Sequence, residues 1–224
     1  MGTKITTHYF EYGVNKYFRG NAHLLEAAHF GEKKDPIGAK AFVEPAGKVK
    51  PEHLDGRLKF NGRVKIDWNT VSKSELEADA DLHFFGLGKS GALSFGHAEA
   101  KSAKLELINL SIDELKLKAM LNTDANVARK FMADEGSDAR IVSEVWIVVD
   151  ADLAEHFVTS GAGGVGVEAL GSTAKISVSG GTRGTQTLTL SPGSTFAYKL
   201  HKVSEWSKGK TKVEAVEADY KGMS

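Results

Sequence analysis

Residues 187–200, TLTLSPGSTFAYKL, hold two short runs of period-two alternation with a break between them. Leu188 and Leu190 share one face of the first run, and Phe196, Tyr198 and Leu200 share one face of the second. Pro192-Gly193 between them has the chemistry of a tight turn. The proline is one of only four in the chain, so it marks the place where two strands part. Just upstream, IVSEVWIVVDADLAEHFVT (141–159) is apolar on both faces in its first half, as a strand covered on both sides would be. In its second half Ala151, Leu153 and Phe157 alternate with Asp150, Asp152 and His156, which extends the strand reading into a half-exposed setting. GAGGVG (161–166) then reverses the chain, and VEALGSTAKISVS runs back to a second glycine break at Gly180-Gly181.

Further upstream the period is also two. SELEADADLHF (74–84) places Leu76, Ala78, Ala80, Leu82 and Phe84 on one face and Glu75, Glu77, Asp79 and Asp81 on the other. GLGKSG reverses the chain, and ALSFGHAEAKSAKLEL resumes a looser alternation that includes Leu93 and Phe95. The whole of 74–108 therefore reads as one long amphipathic hairpin. Residues 40–70 are interrupted by Pro45, Gly47, Pro51, Gly56 and Gly62, leaving short strands at 57–60 and 63–68. Between the two hairpins the period changes. Ser111 with Glu114 has the spacing of a capping box opening IDELKLKAML, and Thr123 or Asp124 can cap a second helix, ANVARKFMADE, which Gly136 closes.

Composition excludes several functions and selects none. Lys plus Arg balances Asp plus Glu at 29 each, so net charge recruits neither nucleic acid nor an acidic membrane; such attraction has to be local. Without cysteine there is no disulfide, thiolate nucleophile or Cys-ligated zinc, which fits a reducing, cytoplasmic setting. The N-terminal residues lack a signal-peptide apolar run, and nowhere do eighteen apolar residues follow one another. Met1-Gly2 with Thr6 fits the myristoylation pattern only formally. GAGGVG lacks the Lys-Ser/Thr ending of a phosphate loop, so it reads as a hairpin turn. His23 with His29, or Asp79 with Asp81, lack the spacing of a zinc or calcium site, and no G-x-S-x-G marks a hydrolase. The expectation is a non-enzyme without metal or cofactor.

Taken in order, LSIDELKLKAML, IVSEVWIV, TSGAGGVGVEALGSTAKISVSGG and TLTLSPGSTFAYKL resemble the C-terminal half of a gasdermin pore-forming domain. The resemblance covers Ser111 to Leu200, and the 74–108 hairpin lies where that family's first insertion hairpin belongs. It implies an α+β fold, a twisted and mainly antiparallel β-sheet with flanking helices. It also implies a soluble monomer that moves to an acidic phospholipid membrane, oligomerises with itself and inserts two β-hairpins, causing cell death in an immune role. An activating protease or a partner chain belongs to that picture; nucleic acid does not. The membrane-insertion residues it implies are Leu76, Ala78, Ala80, Leu82, Phe84, Leu93 and Phe95 in one hairpin, and Ala151, Leu153, Phe157, Val165 and Val167 in the other. A strand crosses a bilayer in about 9–11 residues, and both hairpins are long enough.

Cations for an anionic surface are sought in Lys33-Lys34, Arg57 with Lys59, and Arg63 with Lys65. The division expected is a pore-forming domain over 1–203 and a short tail over 204–224. That tail reads as an inhibitory segment, as the end of a fragment, or as a terminal strand. Unlike bacterial members of the family, the chain has no lipid-modified cysteine, and unlike animal members it shows no large helical repressor. The alternative is a β-rich binding or structural protein that makes no pores.

Overall fold

The computed structural model describes residues 2–76, 82–89, 91–94, 96, 100, 102, 104–160, 165–180 and 184–223. Twelve residues at the heart of the chain explain its plan. In ARIVSEVWIVVD, Val145, Ile147 and Val149 face one cluster of buried residues, and Trp146 and Val148 face another. A strand buried on both faces must sit in the middle of a sheet.

The first part of the chain supplies a meander, β1 (Thr3–Ile5), β2 (Tyr9–Tyr12) and β3 (Asn15–Phe18), then the hairpin β4 (His29–Lys34) and β5 (Phe42–Lys48), and then β6 (Leu58–Lys65). A short helix α1 (Lys73–Leu76) and the hairpin β7 (His83–Phe85) and β8 (Ala92–Ser94) lead to β9 (Leu105–Ile112). Helices α2 (Glu114–Thr123) and α3 (Asn126–Glu135) connect it to the central strand β10 (Ala139–Asp150). Helix α4 (Ala151–Ser160) follows, then β11 (Gly166–Leu170), β12 (Thr173–Val178), β13 (Gln186–Thr189), β14 (Thr195–Trp206) and β15 (Val213–Asp219). The fold is α+β and mainly antiparallel sheet, the coarse class expected.

β11, β12 and β13 form a small sheet, and the other strands share a large one. Pro192-Gly193 lies between the two: β13 ends in the small sheet and β14 begins in the large one. Gly193 holds φ +92°, a conformation that favours glycine. Its N–H donates to the His23 carbonyl at 2.6 Å, and its carbonyl accepts from His83 N–H at 2.9 Å.

Several local readings need correction. The interruption expected near Gly62 is a bulge in a continuous β6, with Gly62 at φ +146° and a register shift between Phe60 and Gly62. The capping box at Ser111 does not form, because Ser111 and Ile112 end β9; Asp113 caps α2 instead, accepting from Lys116 N–H at 2.9 Å. Thr123 and Asp124 do not cap α3: Asp124 is engaged by Arg57, and the N-cap position is Ala125. Gly136 does close α3 with φ +75°.

The two long hairpins are differently built. Residues 74–108 hold α1, the short β7–β8 hairpin and the first part of β9, rather than two long strands. Residues 151–160 are helix α4, not a continuation of β10. Asp150 ends the strand by accepting from Leu153 N–H at 2.7 Å, a helix N-cap bond. Leu153, Ala154 and Phe157 then lie on one buried helical face, and His156 is buried too. VEALGSTAKISVS turns within itself at Gly171, φ +62°, so that β11 pairs with β12.

Candidate functional site

Four strands form a continuous antiparallel frame. β6 pairs with β9 through Lys65↔Glu106, β9 with β10 through Leu105↔Asp150, and β10 with β14 through Ile147↔Thr195. Those pairs all lie at one end of the frame. From that end residues 66–104 leave β6 and return as β9, and residues 151–194 leave β10 and return as β14. The two insertions thus issue side by side, and β7 of the first pairs in parallel with β10 at Val149↔Phe85.

The second insertion packs on one face, and the first divides between the two, with Phe85 joining the cluster of the second. Leu76, Leu82 and Ala100 of the first insertion join Trp146, Val148 and Leu107 in one buried cluster. Leu153, Phe157, Val165, Val167, Ile176 and Val178 of the second join Val145, Ile147 and Val149 in the other. Of the residues expected to insert, Leu76, Leu82, Leu153, Phe157, Val165 and Val167 are buried here, Phe84 and Ala151 are half-buried, and Leu93 is exposed. Ala78, Ala80 and Phe95 lie outside the described residues, as do the acids Glu77, Asp79 and Asp81 and most of GAGGVG.

Polar clasps hold the insertions down. The guanidinium of Arg19, fully buried beside the Phe196 ring, donates to the carbonyls of Thr6 at 2.8 Å and Leu76 at 3.2 Å, and also to that of Glu75. It therefore secures the end of α1 from β3's flank. In the second insertion Val167 N–H donates to Asp55 at 3.1 Å, and the His156 ring lies 3.3 Å from the Val178 carbonyl. Asp150 accepts from Leu87 N–H at 2.9 Å as well as from Leu153, so one carboxylate touches both insertions at their root.

The six expected lipid-binding cations do not come together. Lys33 is buried and lies 2.8 Å from the Asp219 carboxylate, which removes it from any surface. No sequence pattern distinguishes it from Lys34, which is half-buried against Glu32 and Glu44. Arg57 is taken up by Asp124, and Arg63 by Glu155 at 2.6 Å and Glu106 at 3.6 Å. Lys59 and Lys65 are the exposed members, both on β6. Lys65 is at the frame's insertion end, 4.0 Å from Glu106.

The stretch beyond residue 203 is the end of β14 followed by β15, which pairs with β14 from Leu200↔Asp219 to Trp206↔Val213. Asn122 of α2 bonds both the N–H and the carbonyl of Val213, at 2.8 and 2.9 Å. Asp219 accepts from Lys33 and, at 2.6 Å, from Arg140, while Lys33 and Lys16 reach the carbonyls of Lys221 and Met223. Despite burial, these bonds pull the Asp219 carboxyl down to about 2. Sequence reading missed Arg19, Arg140 and Asp219, since each acts on backbone or charge remote in the chain.

One cluster imitates a catalytic triad. The His201 ring lies 2.7 Å from Ser143 Oγ and 3.0 Å from the Glu114 carboxylate. Ser143 is 1% exposed, so its oxygen leaves no room for an acyl carbonyl, and burial lowers the His201 pKa. Its geometry ties β10, β14 and α2 together. His29 is likewise structural, its Nδ1 accepting from Glu26 N–H at 2.7 Å. Among the described residues no group of three or more His, Asp or Glu side chains is placed to hold a metal, and no helix is long and apolar enough to cross a membrane. No family model, curated protein or solved structure matches the chain.

Proposed function

We propose that the protein is a membrane pore former of the gasdermin-like kind, in which residues 66–104 and 151–194 unfold from the body and re-form as two β-hairpins. The observation that carries this reading is the root geometry: both insertions leave the same end of β6, β9, β10 and β14, four strands already in antiparallel order. Extending them adds ladder bonds to a template in register, and a sheet satisfies all its backbone groups inside a bilayer only when it closes. Each insertion has the length for two crossing strands of about 9–11 residues and a turn. The tail clasp at Asp219 is the candidate restraint, and self-association into a ring at an acidic membrane is the expected active state.

The test is dye release from vesicles containing an acidic phospholipid, comparing the full chain with one ending after Val203. The controls are Leu93→Asp and Leu170→Asp, because these side chains are 42% and 59% exposed and a charge there spares the soluble core. A charge at Leu82 or Leu153 is a poor control, since both are buried. Release that needs the acidic lipid and disappears in the controls supports the proposal. Intact vesicles with both lengths, each shown to be folded, favour the alternative of a β-rich binding protein.

A further inference from the structure

Where β10 diverges from β9, the sheet opens a cavity of about 170 Å³. It comprises room for about five waters, or one six-membered sugar ring. Its walls are the rings of Tyr12, Tyr17 and Trp146, each tyrosine standing nearly perpendicular to the indole with centroids 5.4 and 5.6 Å away. The bulge at Gly62 forms part of the rim beside Asn15. Its polar floor is a chain of fixed amides: Asn61 donates to Asn109 Oδ1 at 2.8 Å, and Asn109 donates to Glu144 at 2.8 Å.

Two features point to a ligand. The Trp146 indole nitrogen is buried and makes no hydrogen bond of ordinary geometry, although the Tyr17 hydroxyl lies close to it and to Glu144. A hydroxyl of a bound ligand could serve as the acceptor for this N–H. The second feature is charge. Lys199 sits 3.6 Å from Glu144, and Arg63 at the rim is held by Glu106 and Glu155, so the cavity offers no net charge to an ion. Neutral amides and phenols that read hydroxyl groups, beside aromatic rings that cover C–H faces, suit a carbohydrate.

We propose that this cavity binds one neutral sugar residue, either free or at the end of a glycolipid headgroup. The proposal does not rest on pore formation. It is tested by following the indole N–H resonances of the chain's three tryptophans during titration with glucose, galactose, mannose and N-acetylglucosamine. Trp146→Phe identifies the relevant resonance, and vesicles with and without a neutral glycolipid provide the second arm. The expected result is a saturable shift confined to Trp146, or glycolipid-dependent vesicle binding, either weakened at least tenfold in Tyr12→Ala. Tyr12 is half-exposed on β2, so its loss leaves the fold, checked by thermal unfolding, in place. If no sugar shifts Trp146 and no vesicle binding depends on Tyr12, the proposal is overturned.

Discussion

Arg19 and Leu76 lie 57 positions apart in the chain, yet the Arg19 guanidinium donates to the Leu76 carbonyl at 3.2 Å in the protein interior. That bond joins the body of the sheet to the first segment proposed to leave it. Arg19→Met removes the guanidinium that lies over the Phe196 ring and with it the donors to Thr6, Glu75 and Leu76. A loss of about 3 kcal/mol in urea unfolding is expected from the orphaned carbonyls. In the pore reading the same variant releases dye faster than the parent; slower or unchanged release from a folded variant would count against the clasp.

Phe157 is 1% exposed and lies tilted against the Phe60 ring at 5.6 Å between centroids. Phe157→Ala is expected to destabilise by about 3–5 kcal/mol, the usual cost of a buried aromatic. Because the loss falls on α4, hydrogen exchange should rise over 151–178 more than over 139–149. Equal rises in both stretches would mean that the second insertion does not open as a unit.

Asp219 bridges two buried cations, Lys33 and Arg140. Asp219→Asn leaves them facing each other, at an expected cost of about 3–5 kcal/mol. The carboxyl's folded pKa, about 2, lies below its ordinary 3.8. Its contribution is therefore complete above pH ~4 and lost as the pH falls through about 2, by roughly 2 kcal/mol. Unfolding titrations of the parent should show that extra acid slope and Asp219→Asn should lack it.

His29 acts in the same direction but at higher pH. Burial and the nearby Lys48 lower its pKa from 6.5 to about 4, and its Nδ1 accepts a backbone hydrogen bond that protonation would destroy. The unfolded chain takes up the proton first, so stability present above pH ~6.5 declines as the pH falls towards 4, by about 3 kcal/mol. His29→Gln retains an acceptor and should flatten that decline. An NMR titration that places the His29 midpoint near 6.5 would contradict the account.

Gly31 crosses β5 so closely that an added Cβ would overlap the Glu44 carbonyl, which is backbone and cannot step aside. Gly31→Ala should therefore separate β4 from β5 or prevent folding, seen as lost soluble yield. Gly56, with open space around it but φ +67°, should cost only about 1 kcal/mol when replaced by alanine.

Sequence alone determined the features that depend on local chemistry. IVSEVWIV had to be a strand covered on both faces, Pro192-Gly193 had to separate two strands, and Gly136 had to end a helix. It left open what depends on partners distant in the chain. Ala151, Leu153 and Phe157 have the even spacing of a strand face, yet the Asp150 cap together with the apolar face awaiting Leu153, Ala154 and Phe157 selected the helix. Lys33 and Lys34 are indistinguishable neighbours until strand pleat turns one inward to Asp219 and the other outward to Glu32. The common root of the two insertions was likewise decided by strand pairing, since hydrogen bonds across a sheet join residues whose separation no local pattern records.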